Sequence, residues 1–299
     1  MPKNILLVSI TVAALALGFL AGRSDLADLN GVDAKAPGGT ASTGRDRSDK
    51  PDTQATAELP QKVTKSAPGV APKGMRLVGG AYPNAFEYGD QTQAPTGPVE
   101  DAWTRLEPLA RAGDPDAALQ LHAALYRCLN AADSANMIES VNDAVLASIE
   151  QDLRDCKGVD KQKIATAFDW LLRAANAGSI EAAIRYAYIG DESLGSKAEM
   201  IANPEATIRY RENALRLLQS SAAQGSVEAL SMLSDEYRSG GLVKQNPVLA
   251  YAYKYAQSLV SLPNAAREEI LANLGQGLST SEIELARDKG RQIAERCCR

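Results

Sequence analysis

TAFDWLLRAANAGSIEAA, residues 166–183, and SSAAQGSVEALSMLSDEYRSGGLVKQNPVLAYAY, residues 220–253, decide the fold. Both hold a glycine inside an alanine-rich helical pattern, and the flanking residues superimpose when the glycines are aligned. With Gly178 as position zero, Ala167 stands at −11, Trp170 at −8, Ala174 and Ala175 at −4 and −3, Ala182 at +4 and Tyr186 at +8. With Gly225 as zero, Ala214, Leu217, Ser221, Ala222, Ala229 and Leu233 fill the same slots, with Tyr237 at +12. Gly113 gives Ala102, Arg105, Leu109, Ala110, Ala117, Leu121 and Leu125. Such a period is the signature of a repeat. Positions −11, −8, −4 and −3 share one stripe of a first helix, and +4, +8 and +12 one stripe of a second. The alanines allow close approach. The glycine supplies the left-handed residue that ends the first helix, and Asp114-Pro115, Ser179 and Ser226 start the next.

The pair Gly240-Gly241 raises the question of a phosphate loop charged by Lys244. A phosphate loop leads directly into a helix N-terminus, whereas five residues here separate Gly241 from Pro247. Tyr237 therefore ends one helix, the glycines break it, Val243 turns inward, and Asn246-Pro247 start the next.

The two quoted stretches resemble Sel1-like repeats, a branch of the tetratricopeptide-type solenoids. The family's unit follows A-x-x-W-[YF]-x-[KR]-A-A-x-x-G-x-x-x-A-x-x-x-L-x-x-x-Y-x-x-G-x-G-V-x-x-[DN]-x-x-x-A. Ala167, Trp170, Arg173, Ala174, Ala175, Gly178 and Ala182 match it in one unit; Ala229, Leu233, Tyr237, Gly240, Val243, Asn246 and Ala250 match it in the next. Gly241 lies one place early, and Gly190 stands where a tyrosine is usual. The resemblance covers about residues 100–260 and implies an all-α, right-handed superhelical solenoid of helix-turn-helix units. Ala250 and Tyr253 then occupy −11 and −8 of a fourth unit whose zero is Ser261. The intervals between zeros are 65, 47 and 36 residues, the last being the family's period, so the first two hold insertions of 29 and 11. The longer lies within residues 126–166, where Ile138, Val141, Val145, Ile149 and Leu153 predict an amphipathic helix. The solenoid is expected over 99–264, with a C-terminal helical cap over 265–299.

Ahead of the repeats the texture differs. Ile5–Gly22 is an 18-residue run without charge, near the lower limit for crossing ~30 Å of hydrocarbon. Phe19 or Leu20 would occupy the −3 site of a cleavage signal, which wants a small residue. Residues 1–22 are therefore expected to be a signal anchor that places the rest of the chain outside the cytoplasm; a cleaved signal is the alternative. No cysteine follows the run, which argues against a lipoprotein. From Arg23 to Pro98 only 12 of 76 residues are Val, Leu, Met, Phe or Tyr. This composition predicts a disordered linker spanning about 45–50 Å. Within it MRLVGGAYPNAFEYG, 75–89, is more apolar, and either stays disordered or docks on a partner or on the folded domain.

The chemistry readable from residues is sparse. The formal charge of −5 and the lack of any Lys/Arg block argue against nucleic-acid binding. His122 is the single histidine and falls one place past the +8 slot, as a surface or partly packed residue without a nucleophile beside it. Zinc sites needing several histidines are excluded, and no hydrolase, zincin or Walker motif is present. Glu139-Ser140 resembles the start of the lytic transglycosylase motif, but VNDAVLAS lacks its glycine-rich continuation. Cys128 and Cys156 bracket the long insertion and are expected to form a disulfide in an oxidising compartment, the alternative being two buried thiols. Cys297 and Cys298 either remain inert, couple two chains, or pair with each other.

No cofactor or metal is expected, and the reading is not an enzyme. The resemblance implies binding along the first helices of the units. Arg209, Tyr210 and Arg211 in unit three and Tyr251 and Tyr255 in unit four are the candidate surface, because Tyr and Arg dominate recognition; the alternative for the tyrosines is packing between units. The expected role is an interaction scaffold of the bacterial envelope, held in the inner membrane with a periplasmic repeat domain and bound to another envelope protein. A cell-wall-acting enzyme or its regulator, or a secreted interaction factor, are the alternatives.

Overall fold

The computed structural model describes residues 69–134 and 142–299. The expected anchor, the linker as far as residue 68, and Ile138, Glu139, Ser140 and Val141 lie outside the described residues. The described residues are mostly helical, with one two-stranded sheet among them.

Twelve α-helices occur among the described residues: α1 Val99–Arg111, α2 Pro115–Ser134, α3 Asp143–Asp155, α4 Lys161–Ala165, α5 Ala167–Asn176, α6 Ile180–Ile189, α7 Lys197–Ala202, α8 Pro204–Gln224, α9 Val227–Ser239, α10 Pro247–Val260, α11 Arg267–Leu274 and α12 Thr280–Cys298. The aligned glycines fall between α1 and α2, α5 and α6, and α8 and α9. Their φ values are 100° for Gly113, 102° for Gly178 and 111° for Gly225, the left-handed region expected at position zero. The next helix is capped each time by the expected residue. Asp114 Oδ1 accepts from the amides of Asp116 and Ala117, Ser179 Oγ from Ala182 N and Ser226 Oγ from Ala229 N. Gly240 is left-handed, Asn246 caps Pro247–Val260 through Leu249 N, and Lys244 stays exposed.

The small slots are closed. Ala167, Ala174, Ala182, Ala214, Ala222 and Ala229 are all fully buried, with Trp170, Tyr186, Leu217, Leu233 and Tyr237 packed around them. Contact runs from α1 to α2, α2 to α5, α5 to α6, α6 to α8, α8 to α9 and α9 to α10, and then to α12. The segments between follow the expected insertions. One holds α3 and α4; the other holds the turn Gly190–Leu194 and α7. Three slots depart from expectation. In the first unit Arg105 and Leu109 are exposed, and the buried stripe of α1 runs through Ala102, Leu106 and Ala110 instead. Ser261 is extended rather than left-handed, with α11 following in place of a regular second helix. Gly190, where the pattern wants tyrosine, is buried; a methyl there would lie 2.8 Å from the Tyr210 ring.

The 23–98 linker needs a correction. From Gly69 onward the chain is an arm held against the helices. Strands β1 Met75–Leu77 and β2 Phe86–Tyr88 pair antiparallel in the register Met75↔Tyr88, Arg76↔Glu87, Leu77↔Phe86. Met75 and Phe86 enter a cluster with Ile180 and Ile184. This is the 75–89 patch docking on the folded domain. The apolar residues are few but split between two clusters: Met75 and Phe86 pack on Ile180 and Ile184, while Ala85, with Val78 and Tyr82, joins the main helical core.

Among the described residues no helix is long and apolar enough to cross a membrane.

Candidate functional site

The most constructed surface is the one beneath the arm. Phe86 N donates to Gly225 O at 3.0 Å, and Phe86 bridges Ser226 in parallel. Tyr88 N donates to Glu228 Oε1 at 2.7 Å. Four residues on, Thr92 N donates to Glu181 Oε1 and Thr92 Oγ1 to Glu181 Oε2, both at 2.8 Å. Arg185 Nη2 closes the ring, pairing with Glu181 at 2.7 Å and donating to Thr92 O at 3.1 Å. On the other strand side, Lys73 pairs with Asp116. Asp116, Glu181 and Glu228 each stand three residues after their unit's turn glycine. Each occupies the first turn of a second helix, where a carboxylate also complements the helix dipole. Glu181 is buried, so its three polar contacts, from Thr92 N, Thr92 Oγ1 and Arg185, are a condition of the fold. Burial pushes the Tyr88 hydroxyl pKa up, with the Glu228 charge adding to it.

The arm also reaches the C-terminus. Asn84 N donates to Cys298 O at 3.0 Å and Asn84 Nδ2 to Arg299 O at 2.9 Å. Gly225 is the tightest point of the face, since a methyl there would lie 2.3 Å from Asn84 O. At the other end of the arm lies a cleft of about 840 Å³, with Asp116, Ser179 and the buried Leu119 and Ile180 on the helix side and Lys73, Tyr88 and Asp90 on the arm side.

The candidate surface read from sequence divides. Arg209 and Arg211 are exposed on α8. Tyr210 between them is buried, its ring tilted 55° against Tyr186 at 5.5 Å, with its hydroxyl donating to Ala187 O. Tyr251 is 2% exposed and accepts from Arg287 Nε at 3.3 Å. Tyr255 is half-buried, 6.5 Å from Tyr251 and beneath the Arg287 guanidinium. Tyr210 and Tyr251 are thus core residues, for different reasons. Gly190 opens the space that Tyr210 fills. Tyr251 and Tyr255 are covered by α12, whose Gly290 would place a methyl 2.7 Å from Ala252 O. Tyr253 takes its expected core slot, stacked on Tyr237 at 5.6 Å.

The first helices carry a second cluster. The Trp170 ring lies under the guanidiniums of Arg111 at 6.0 Å and Arg173 at 5.3 Å. Trp103 meets it edge-on at 6.0 Å, with Lys163 over its own face. Arg111 and Arg173 are exposed.

The long insertion is stapled as expected: Cys128 Sγ and Cys156 Sγ are 2.07 Å apart. Arg127 adds a polar clasp, lying 3.7 Å from Asp152, 3.6 Å from Asp155 and 3.1 Å from Gly97 O. Cys297 Sγ and Cys298 Sγ lie 2.06 Å apart, which selects pairing with each other among the three readings. His122 corrects its expectation, being fully buried. Its Nδ1 lies 3.0 Å from Ala167 O, so the neutral ring carries its proton there. Burial pulls its pKa down to about 4. It stacks on Tyr126 and faces Phe168. Among the described residues no group of three or more His, Cys, Asp and Glu side chains is placed to hold a metal ion.

No protein-family model matches the chain, and no curated protein matches it.

Proposed function

We propose that the protein is a protein–protein interaction scaffold of the bacterial cell envelope, working without catalysis. In this reading α1–α10 form a right-handed superhelical solenoid of about four Sel1-like helix pairs, capped by α11 and α12. Residues 1–22 hold it in the inner membrane with the repeats in the periplasm, and the partner is another envelope protein. The observation that carries the reading is the grip on the arm. Carboxylates at one register position of successive units accept hydrogen bonds from an extended polypeptide. The end-to-end order of helix contacts supports the solenoid. The Cys128–Cys156 pairing supports an oxidising compartment. The exposed arginines around Trp170 supply the residue types that anchor partners.

The test is a photo-crosslinking amino acid placed at Arg173, Arg209 or Arg211 of the full chain in living cells. The reading expects discrete protein adducts from these positions and none from Glu150 on α3. Absence of adducts together with release of soluble fragments from purified peptidoglycan by the solubilised chain would replace it with an enzyme.

A further inference from the structure

We propose that Arg111, Arg173 and Arg216 form one recognition row for an acidic, extended segment of the partner protein. The inference rests on the scaffold reading and names the partner's charge. The three arginines stand on α1, α5 and α8, and each is exposed. The row is continuous. Arg111 and Arg173 lie over the same Trp170 ring. Asn176, three residues beyond Arg173 on the same face of α5, accepts from Arg216 Nη2 at 2.8 Å through Oδ1. Asn213 Oδ1 accepts from the same nitrogen at 3.3 Å.

The row differs from the other exposed arginines in how its charges are held. Arg154, Arg238, Arg291 and Arg299 each pair with a carboxylate three or four residues back in sequence. Arg111 likewise pairs with Glu107. Arg173 and Arg216 form no ion pair among the described residues, although Asp169 and Glu212 stand four residues before them. Their supports are neutral: an indole face under Arg173, two side-chain amides on Arg216. A guanidinium fixed by neutral groups keeps its full charge and loses little further freedom when it meets a carboxylate. Arg216 uses Nη2 alone, which leaves Nε and Nη1 to donate.

On a chain of formal charge −5, such a row attracts acid and turns away base at close range. Its geometry sets the occupant's pattern. Neighbouring helices pack about 8–10 Å apart, so the row runs for about 20 Å across three of them. About seven extended residues cover that length, with alternate side chains on one face. The segment therefore carries Asp or Glu at alternate positions, opposite Arg173 and Arg216 above all.

The experiment is fluorescence anisotropy on the solubilised full chain, with a fluorescein-labelled peptide of alternating Glu and Ser as probe. Saturable binding that weakens as salt is raised is expected, with a Gln-Ser peptide bound about tenfold or more weakly. Arg173→Gln/Arg216→Gln should weaken the Glu-Ser peptide by a similar factor. Arg154→Gln/Arg238→Gln, which removes two arginines already holding carboxylates, should leave it unchanged. Should the row variant prove unfolded by circular dichroism, Arg173→Met/Arg216→Met, which keeps the stem over Trp170, serves in its place. Arg173→Glu/Arg216→Glu should transfer the preference to a Lys-Ser peptide. Equal binding of the Glu and Gln peptides, equal loss in both pairs of variants, or no binding of the Glu peptide overturns the proposal. Tighter capture of phosphatidylglycerol vesicles through the same two arginines would assign the row to a membrane surface and overturn it likewise. If the Glu peptide fails while a photo-crosslinker at Arg209 still yields protein adducts, the acidic segment falls and the scaffold reading stands.

Discussion

Gly225 concentrates two demands in one residue. Its φ of 111° excludes side chains from the position at modest cost, and Asn84 O lies where a methyl would go. Gly178 has the same φ demand with open space around it. Gly178→Ala should therefore cost about 1–2 kcal/mol, the left-handed penalty alone. Gly225→Ala should cost more, on the order of 3 kcal/mol, and should also lift the arm. Thermal melts rank the two variants, and proteolysis within 75–92 reports the arm; equal melting points would contradict the close approach. His122 sets a pH dependence. Its pKa is lowered to about 4 in the fold, against about 6.5 in the unfolded chain. Between those values the unfolded state binds more protons, so stability falls as pH drops from about 6.5 towards 4, by up to about 3 kcal/mol. Urea unfolding at pH 7 and pH 4.5 measures it, and His122→Gln should flatten the difference.

At the scale of elements, the long insertion is an add-on whose register with the repeats is held by few contacts. The Cys128–Cys156 link closes a loop with a sequence separation of 28, worth about 3–4 kcal/mol in the chain-entropy model. Cys128→Ser/Cys156→Ser should lose that stability and expose 143–155 to protease first, because Ile149 is the chief apolar residue that α3 buries. Unchanged melting would show that the Arg127 clasp suffices. The sequence carried these elements unevenly. Turn glycines, caps and alanine slots were legible because each rests on local backbone geometry and recurs three times. The fate of Tyr210 and Tyr251 was not, since it depends on Gly190 and on α12, which come from other parts of the chain. The arm was hidden by averaging. Its seven Val, Leu, Met, Phe and Tyr residues are diluted in a 76-residue composition, although the acidic residue recurring three places after each turn glycine was a visible signal of something held there.

For the whole molecule, the consequence is that the arm joins units distant in sequence. Asn84 ties it to Cys298 and Arg299, Tyr88 to α9, and Thr92 to α6. Glu181→Ala should be the more damaging of the two carboxylate losses, by about 2–4 kcal/mol against about 1 kcal/mol for Glu228→Ala. It strips partners from Arg185 and Thr92 in a buried setting, whereas Tyr88 N loses a single acceptor. Chemical denaturation of the two variants checks the order. The central claim is that stacked helices hold an extended polypeptide by its backbone, and amide hydrogen exchange of the wild-type chain reads it most directly. The account predicts slow exchange at Phe86, Tyr88 and Thr92, lost in Glu181→Ala/Glu228→Ala while the α5 and α8 amides stay protected; exchange of those three amides at unfolded rates in wild type would contradict it.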